Sequence, residues 1–143
     1  MTLLSTLRAS IDLATITSNS IDSAEAIPLI TANQVLDNKS YNYDGTLAVN
    51  TGDKRLYMAR AGTFGTFDMY VKTAPVGAAL TVTVNKNGSS IGTGTIADGA
   101  NSGTSQSLSP TSFSAGDYLT VNITQIGSST AGEDLYINFR IAG

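Results

Sequence analysis

Few side chains in this sequence are of a type that does covalent chemistry. It contains neither histidine nor cysteine, which excludes Ser-His-Asp and Cys-His nucleophiles, histidine-ligated zinc, thiolate metal sites and disulfides. Glycoside hydrolysis needs two carboxyl groups flanking one bond. The only glutamates are Glu25 and Glu133, and Asp134 follows Glu133 directly. On a strand such neighbours point to opposite faces and cannot flank a bond; in a loop they read as solvated turn residues. Ser-Lys catalysis lacks its S-x-x-K spacing. The expectation is that the protein is not an enzyme.

Binding motifs are equally sparse. Gly92-Thr-Gly94 lacks the third glycine and the following helix of a phosphate loop. Asp44-Gly45, Asp98-Gly99 and Asp134 offer oxygen ligands to calcium, but none sits in an EF-hand loop and Asp-Gly is the default turn dipeptide. No cofactor or metal is expected. The sequons at Asn38, Asn87 and Asn122 carry meaning only in a secreted protein. Of the six tyrosines, Tyr70 and Tyr136 fall out of phase with the apolar faces of their strands. Two readings stay open for them. Tyrosine is a good strand former on a solvent face, and tyrosine on an uncharged surface also makes protein or sugar contacts.

The elements that would hold these residues are strands. Leu80-Thr-Val-Thr-Val84, Leu119-Thr-Val-Asn-Ile123 and Leu135-Tyr-Ile-Asn-Phe-Arg-Ile141 place every second side chain on an apolar face, the period of half-buried antiparallel strands. Phe67, Met69 and Val71 share one face of another, with Asp68, Tyr70 and Lys72 opposite. Ser40 to Val49 and Arg55 to Ala59 are further candidates, broken at Thr51-Gly-Asp53 and Ala61-Gly62. Asn87-Gly88 predicts a two-residue type I′ hairpin that pairs Lys86 with Ser89 and therefore Val84 with Ile91. Residues 92 to 110 predict short edge strands anchored by Ile96 and Leu108 around a loop at residues 98–103. Seven or eight such strands predict an all-β, antiparallel β-sandwich over residues 37–143, jelly-roll-like, with an immunoglobulin-like topology as the rival.

Residues 1–36 differ. Leu4, Leu7, Ile11, Ala14, Ser18 and Ile21 recur at steps of three and four, which predicts a helix, with Arg8 and Asp12 as an i,i+4 pair. The β-branched Thr15-Ile-Thr stretch weakens it, and Pro28 ends any helix that reaches it. The segment therefore reads as a helical and then extended arm through Ile27-Pro-Leu-Ile30. Its apolar residues, among them Leu4, Leu7, Ile11, Ile27 and Leu29, need burial, either on their own domain or on a partner.

Charge narrows the partners. Charged residues make up 13% of the chain and its net charge is −3, with Lys54-Arg55 the single basic pair. Nucleic-acid binding, which needs clustered Lys and Arg, is not expected. Nor is a membrane partner, because no apolar run approaches the roughly 20 residues that span a bilayer. The opening Met-Thr-Leu-Leu-Ser-Thr-Leu-Arg lacks a signal-peptide layout, so the expected product is made in a cytoplasm and not exported by a cleavable signal. Ser, Thr, Asn and Gly take the place of charge, as in β-rich proteins whose neutral faces pack against neighbours.

Two stretches carry a resemblance. Thr73-Ala-Pro-Val-Gly-Ala-Ala-Leu-Thr-Val-Thr-Val-Asn-Lys-Asn-Gly88 and Ser114-Ala-Gly-Asp-Tyr-Leu-Thr-Val-Asn-Ile-Thr-Gln-Ile-Gly127 resemble a β-sandwich module of tailed-bacteriophage virion proteins, and the ending through Ile141 fits it. The likeness covers residues 37–143 and brings no catalytic residues. It implies a structural role in a tail, baseplate, fibre or head decoration. With one compact domain, an apolar arm and no space for a fibre shaft, the sequence most resembles a capsid decoration, or cement, protein. Such a protein would sit on the outer surface of the capsid and bridge neighbouring major capsid protein subunits, as a homotrimer. The alternative the resemblance leaves is a receptor- or glycan-binding module of a tail fibre or baseplate.

Overall fold

The structure, a computed structural model, describes residues 38–52, 54–103 and 106–142, all within one compact unit, Leu36–Gly143. The expected arm, with Leu4, Leu7, Ile11, Ile27 and Leu29, lies outside the described residues.

Alternation builds the strands. In β5 (Leu80–Lys86) the side chains of Leu80, Val82 and Val84 are fully buried while Thr81 and Thr83 face the other way. The same rule shapes β9 (Tyr118–Gln125), β10 (Glu133–Ala142) and β4 (Gly62–Thr73), whose inward residues are Leu119, Val121 and Ile123, then Leu135, Ile137 and Phe139, then Phe67, Met69 and Val71. The rest are β1 (Lys39–Thr46), β2 (Asn50–Thr51), β3 (Leu56–Tyr57), β6 (Ser89–Ile96), β7 (Gln106–Ser107) and β8 (Ser112–Phe113). Among the described residues there is no helix.

These strands form two antiparallel sheets. Sheet A runs β1-β10-β4-β7, with β8 also on β4; sheet B runs β2-β9-β5-β6, with β3 also on β9. One hydrophobic cluster, drawn from both, fills the space between them. Gly94 of β6 shows how closely the layers approach: a Cβ there would meet Met69 Sδ and lie 2.6 Å from Phe67 Cε2, both on sheet A. The chain therefore places its bulkiest sheet A side chains opposite a position without one.

Several expected strands shorten. The first ends at Thr46, where the β1–β10 register shifts and Gly45 takes φ +83°. Between Arg55 and Ala59 only Leu56 and Tyr57 pair, holding the second half of a strand interrupted at Gly52. The hairpin has the expected turn, with Asn87 and Gly88 both at positive φ (50° and 87°) and Lys86 opposite Ser89. Its register departs from expectation. Val84 faces Gly92, because a bulge between Val84 and Asn85 leaves Ile91 as the extra residue. A bulge places two successive side chains on one face, so Ile91 is still buried, and the bare Gly92 leaves room for Leu108, whose Cδ2 is 2.8 Å from where a Cβ would stand. Ile96 and Leu108 are buried as the anchors of their segment.

Candidate functional site

The outer face of sheet A brings the two out-of-phase tyrosines together. Tyr136 on β10 lies directly opposite Tyr70 on β4, and their exposures are 42% and 46%. Asn42 of β1 extends this row beyond Tyr136, and Ser102 extends it beyond Tyr70 through an isolated bridge. In the next row, Ser40, Asn138 and Asp68 stand side by side, and Ser40 donates a hydrogen bond to Asn138 Oδ1 at 3.1 Å. Arg140 reaches back to Asp68 at 2.7 Å. On the opposite flank, Lys72 lies 3.6 Å from Asp134. The two pairs each join opposite charges, and the further exposed carboxylate of β1, Asp44, shares a cleft at the sheet edge with Lys54. Both are surface pairs that add little to stability; what they fix is the orientation of the side chains around the rings.

The carboxylates are engaged in structure. Glu133 accepts hydrogen bonds from the Thr46 and Thr73 hydroxyls (3.4 and 3.0 Å), tying the start of β10 to both neighbouring strands. Asp134, at φ +52°, accepts the Gly45 amide at 2.6 Å. They are half-buried pins at a strand end rather than the solvated turn residues expected. Asp98 accepts the Gly77 amide at 2.9 Å and so closes the loop against the β4–β5 connection. Among the described residues no three carboxylates converge as a metal site would require. An open cleft of about 310 Å³ is lined by Tyr43, Asp44, Asn50 and Lys54. Its ammonium group is committed, donating to the Asn42 carbonyl at 2.7 Å and lying 5.6 Å from the Tyr41 ring centroid.

A second aromatic group escaped the sequence reading. Tyr57 of β3 and Tyr118 of β9 are cross-strand partners with ring centroids 5.6 Å apart. The Arg55 guanidinium lies 4.5 Å from the Tyr118 centroid, and its Nη1 donates to the Tyr57 hydroxyl at 3.4 Å. The signal in the sequence was Arg-x-Tyr beside a strand break, too short to show periodicity. The group organises the sheet B corner beside the 114–117 turn. There Asp117 accepts the Ser114 amide and the Asn87 side-chain amide, both at 2.8 Å. The backbone bond first, and then the Asn87 bond, hold its carboxyl below its ordinary value. A carboxyl depressed in the folded state contributes stability above its unfolded pKa and loses it as pH falls through the folded pKa. Acidification below about pH 4 is therefore expected to loosen the 114–118 turn before the core. Amide exchange of Ser114 and Tyr118 should speed up there, and the Asp117→Asn variant should lack that pH step.

The outer face of sheet B is of a different kind. The outward residues of β5, β6 and β9 include Thr81, Thr83, Asn85, Thr93, Thr95, Thr120, Asn122 and Thr124, with no Lys, Arg, Asp or Glu among them. They line up across the sheet: Thr93 faces Thr83, which faces Asn122, which faces Thr51. Asn85 and Thr120 are buried although they sit on this outer side; Gly52 packs over Thr120, its Cβ position 3.2 Å from the Thr120 Cβ.

Compared with known proteins, the chain matches no family model, and no curated protein shows significant similarity to it.

Proposed function

We propose that this chain is a structural protein of a tailed-phage virion: a capsid decoration protein that binds the outer surface of the head, bridges major capsid protein subunits and associates as a homotrimer. The observation that carries the reading is the rows of hydroxyls and amides that β5, β6 and β9 present on the outer face of sheet B, with charge confined to the corner where Arg55 stacks on Tyr118. Burying such a face against protein avoids the several-kcal/mol penalty of desolvating charges, and cross-face hydrogen bonds replace those to water. The resemblance of residues 73–88 and 114–127 to virion sandwich modules supplies the particle context. In this proposal the fold is a jelly roll. Taking β2 with β3, and β7 with β8, as interrupted strands gives the order 1-8-3-6 in one sheet and 2-7-4-5 in the other. Successive strands cross between sheets everywhere except at the β5–β6 hairpin, as in nested Greek keys, whereas an immunoglobulin-like sandwich keeps several successive strands in one sheet.

Labelling the chain in purified particles and locating it by electron microscopy tests the proposal. Density distributed over the head surface is expected; label confined to the tail overturns it. At residue level, the Thr93→Lys/Thr95→Lys variant introduces two charges at exposed positions of β6. It is expected to fold normally and to lose head occupancy at least tenfold, measured by co-sedimentation.

A further inference from the structure

We propose that the outer face of sheet A is a binding platform for a neutral glycan chain, with Tyr70 and Tyr136 as its stacking residues. The inference is independent of where on a particle the protein sits. Three observations point to this ligand.

The first is the aromatic pair. The two tyrosines occupy one cross-strand position, where side chains stand about 5 Å apart, the scale of one sugar unit in a chain. Neither hydroxyl is hydrogen-bonded within the described residues, and no ring contact joins the pair, so both rings remain available to the C–H faces of pyranoses. Ring faces carry partial negative charge and attract such polarised C–H groups.

The second is the fringe. Asn42, Asn138, Ser40 and Ser102 set amides and hydroxyls along both sides of the rings, groups that donate to and accept from sugar hydroxyls. The third is charge. Around the rings Asp68 is paired with Arg140 and Asp134 with Lys72, and Asp44 at the β1 edge shares its cleft with Lys54, so charges of both signs are interspersed and no single-sign patch surrounds the tyrosines for a sulfated, uronic or amino sugar. The tyrosines and their fringe span neighbouring segments across the sheet, so the platform suits an internal stretch of a chain better than a single sugar.

The full-length protein would be titrated with neutral, anionic and cationic oligosaccharides of one to six units. With no tryptophan in the chain, tyrosine fluorescence reports on the rings directly, and calorimetry checks it. Binding of one or more neutral oligosaccharides of three units or longer is expected. Tyr70→Ala and Tyr136→Ala should each weaken it at least tenfold, while Tyr70→Phe/Tyr136→Phe keeps most of the affinity because the rings remain. Thermal unfolding of each variant establishes that the fold is intact. No binding of any neutral oligosaccharide at millimolar concentration overturns the proposal, as does affinity that survives both alanine substitutions or a preference for charged sugars. Loss of head occupancy in the alanine variants without any glycan binding assigns the face to a protein partner and equally overturns it.

Discussion

Gly94→Val is expected to be among the most destabilising single substitutions where the two sheets face each other. The backbone at Gly94 has an ordinary φ, so valine meets no conformational penalty there; the obstacle is space. Its Cβ would occupy volume held by Met69 Sδ and the edge of Phe67, two residues with no exposure at all. A methionine yields to some extent, but the branched methyls would then press on Phe67 and, behind it, on Phe139, whose ring centroid is 5.6 Å away. Overpacking of a filled core costs roughly 1–3 kcal/mol, and more when the backbone must shift. With the layers unable to separate locally, a loss of about 3 kcal/mol or more is expected, a large part of the 5–15 kcal/mol typical of a domain (roughly). Urea denaturation of Gly94→Val beside Gly99→Ala checks this. Gly99 has open space around its Cβ position but φ +75°, so alanine there brings conformational strain of about 1 kcal/mol without any clash. If the two variants lose equal stability, the close approach of the layers at Gly94 is wrong.

The strands that matter most for the core were legible because their burial is one-sided. Where one face meets the core and the other meets solvent, a period of two survives in the sequence, as in Leu80 to Val84 and Leu135 to Ile141. The reading failed where the chain leaves that period. At Ile91 a bulge inserted a residue, and the expected Val84–Ile91 pairing became Val84–Gly92. Nothing local announces the bulge. It follows from Leu108, which arrives from a distant segment to fill the space above Gly92. A second bulge, opposite Phe139–Ile141, inserts an extra residue in β4 and lets Phe64 and Phe67 both point inward at a spacing of three, which breaks the period of two within that strand.

Site residues follow the same logic. That Tyr70 and Tyr136 face outward could be deduced from phase alone. That they are neighbours could not, since it depends on the β4–β10 register, a pairing across 66 positions of chain in which Tyr136 meets Tyr70. Glu133 and Asp134 were misjudged as solvated for a similar reason: their partners Thr46, Thr73, Gly45 and Lys72 come from other strands and turns. Pairwise chemistry between distant segments is where a single sequence is least informative.

Removing residues 1–36 is expected to abolish attachment to the head while leaving the two-sheet body folded. The second half of that expectation rests on the core. Among the described residues its buried members run from Tyr41 to Ile141, with Tyr43, Leu56, Ala100, Ile126 and Ala131 packed against them, and residues 36–143 form a compact unit by themselves. The shortened protein should therefore unfold cooperatively, with a Tm within a few degrees of the full chain. The first half rests on what the arm carries. Leu4, Leu7, Ile11, Ile27 and Leu29 would each contribute about 1.5–3 kcal/mol if buried on a partner, some 10 kcal/mol gross before the cost of association is subtracted. Losing even half of that weakens binding by more than about a thousandfold, beyond what the hydroxyl and amide rows of sheet B alone would restore. Co-sedimentation with heads lacking this protein measures the difference. Full occupancy by the shortened protein would assign the whole of head binding to the sheets and leave the arm's apolar residues to another contact.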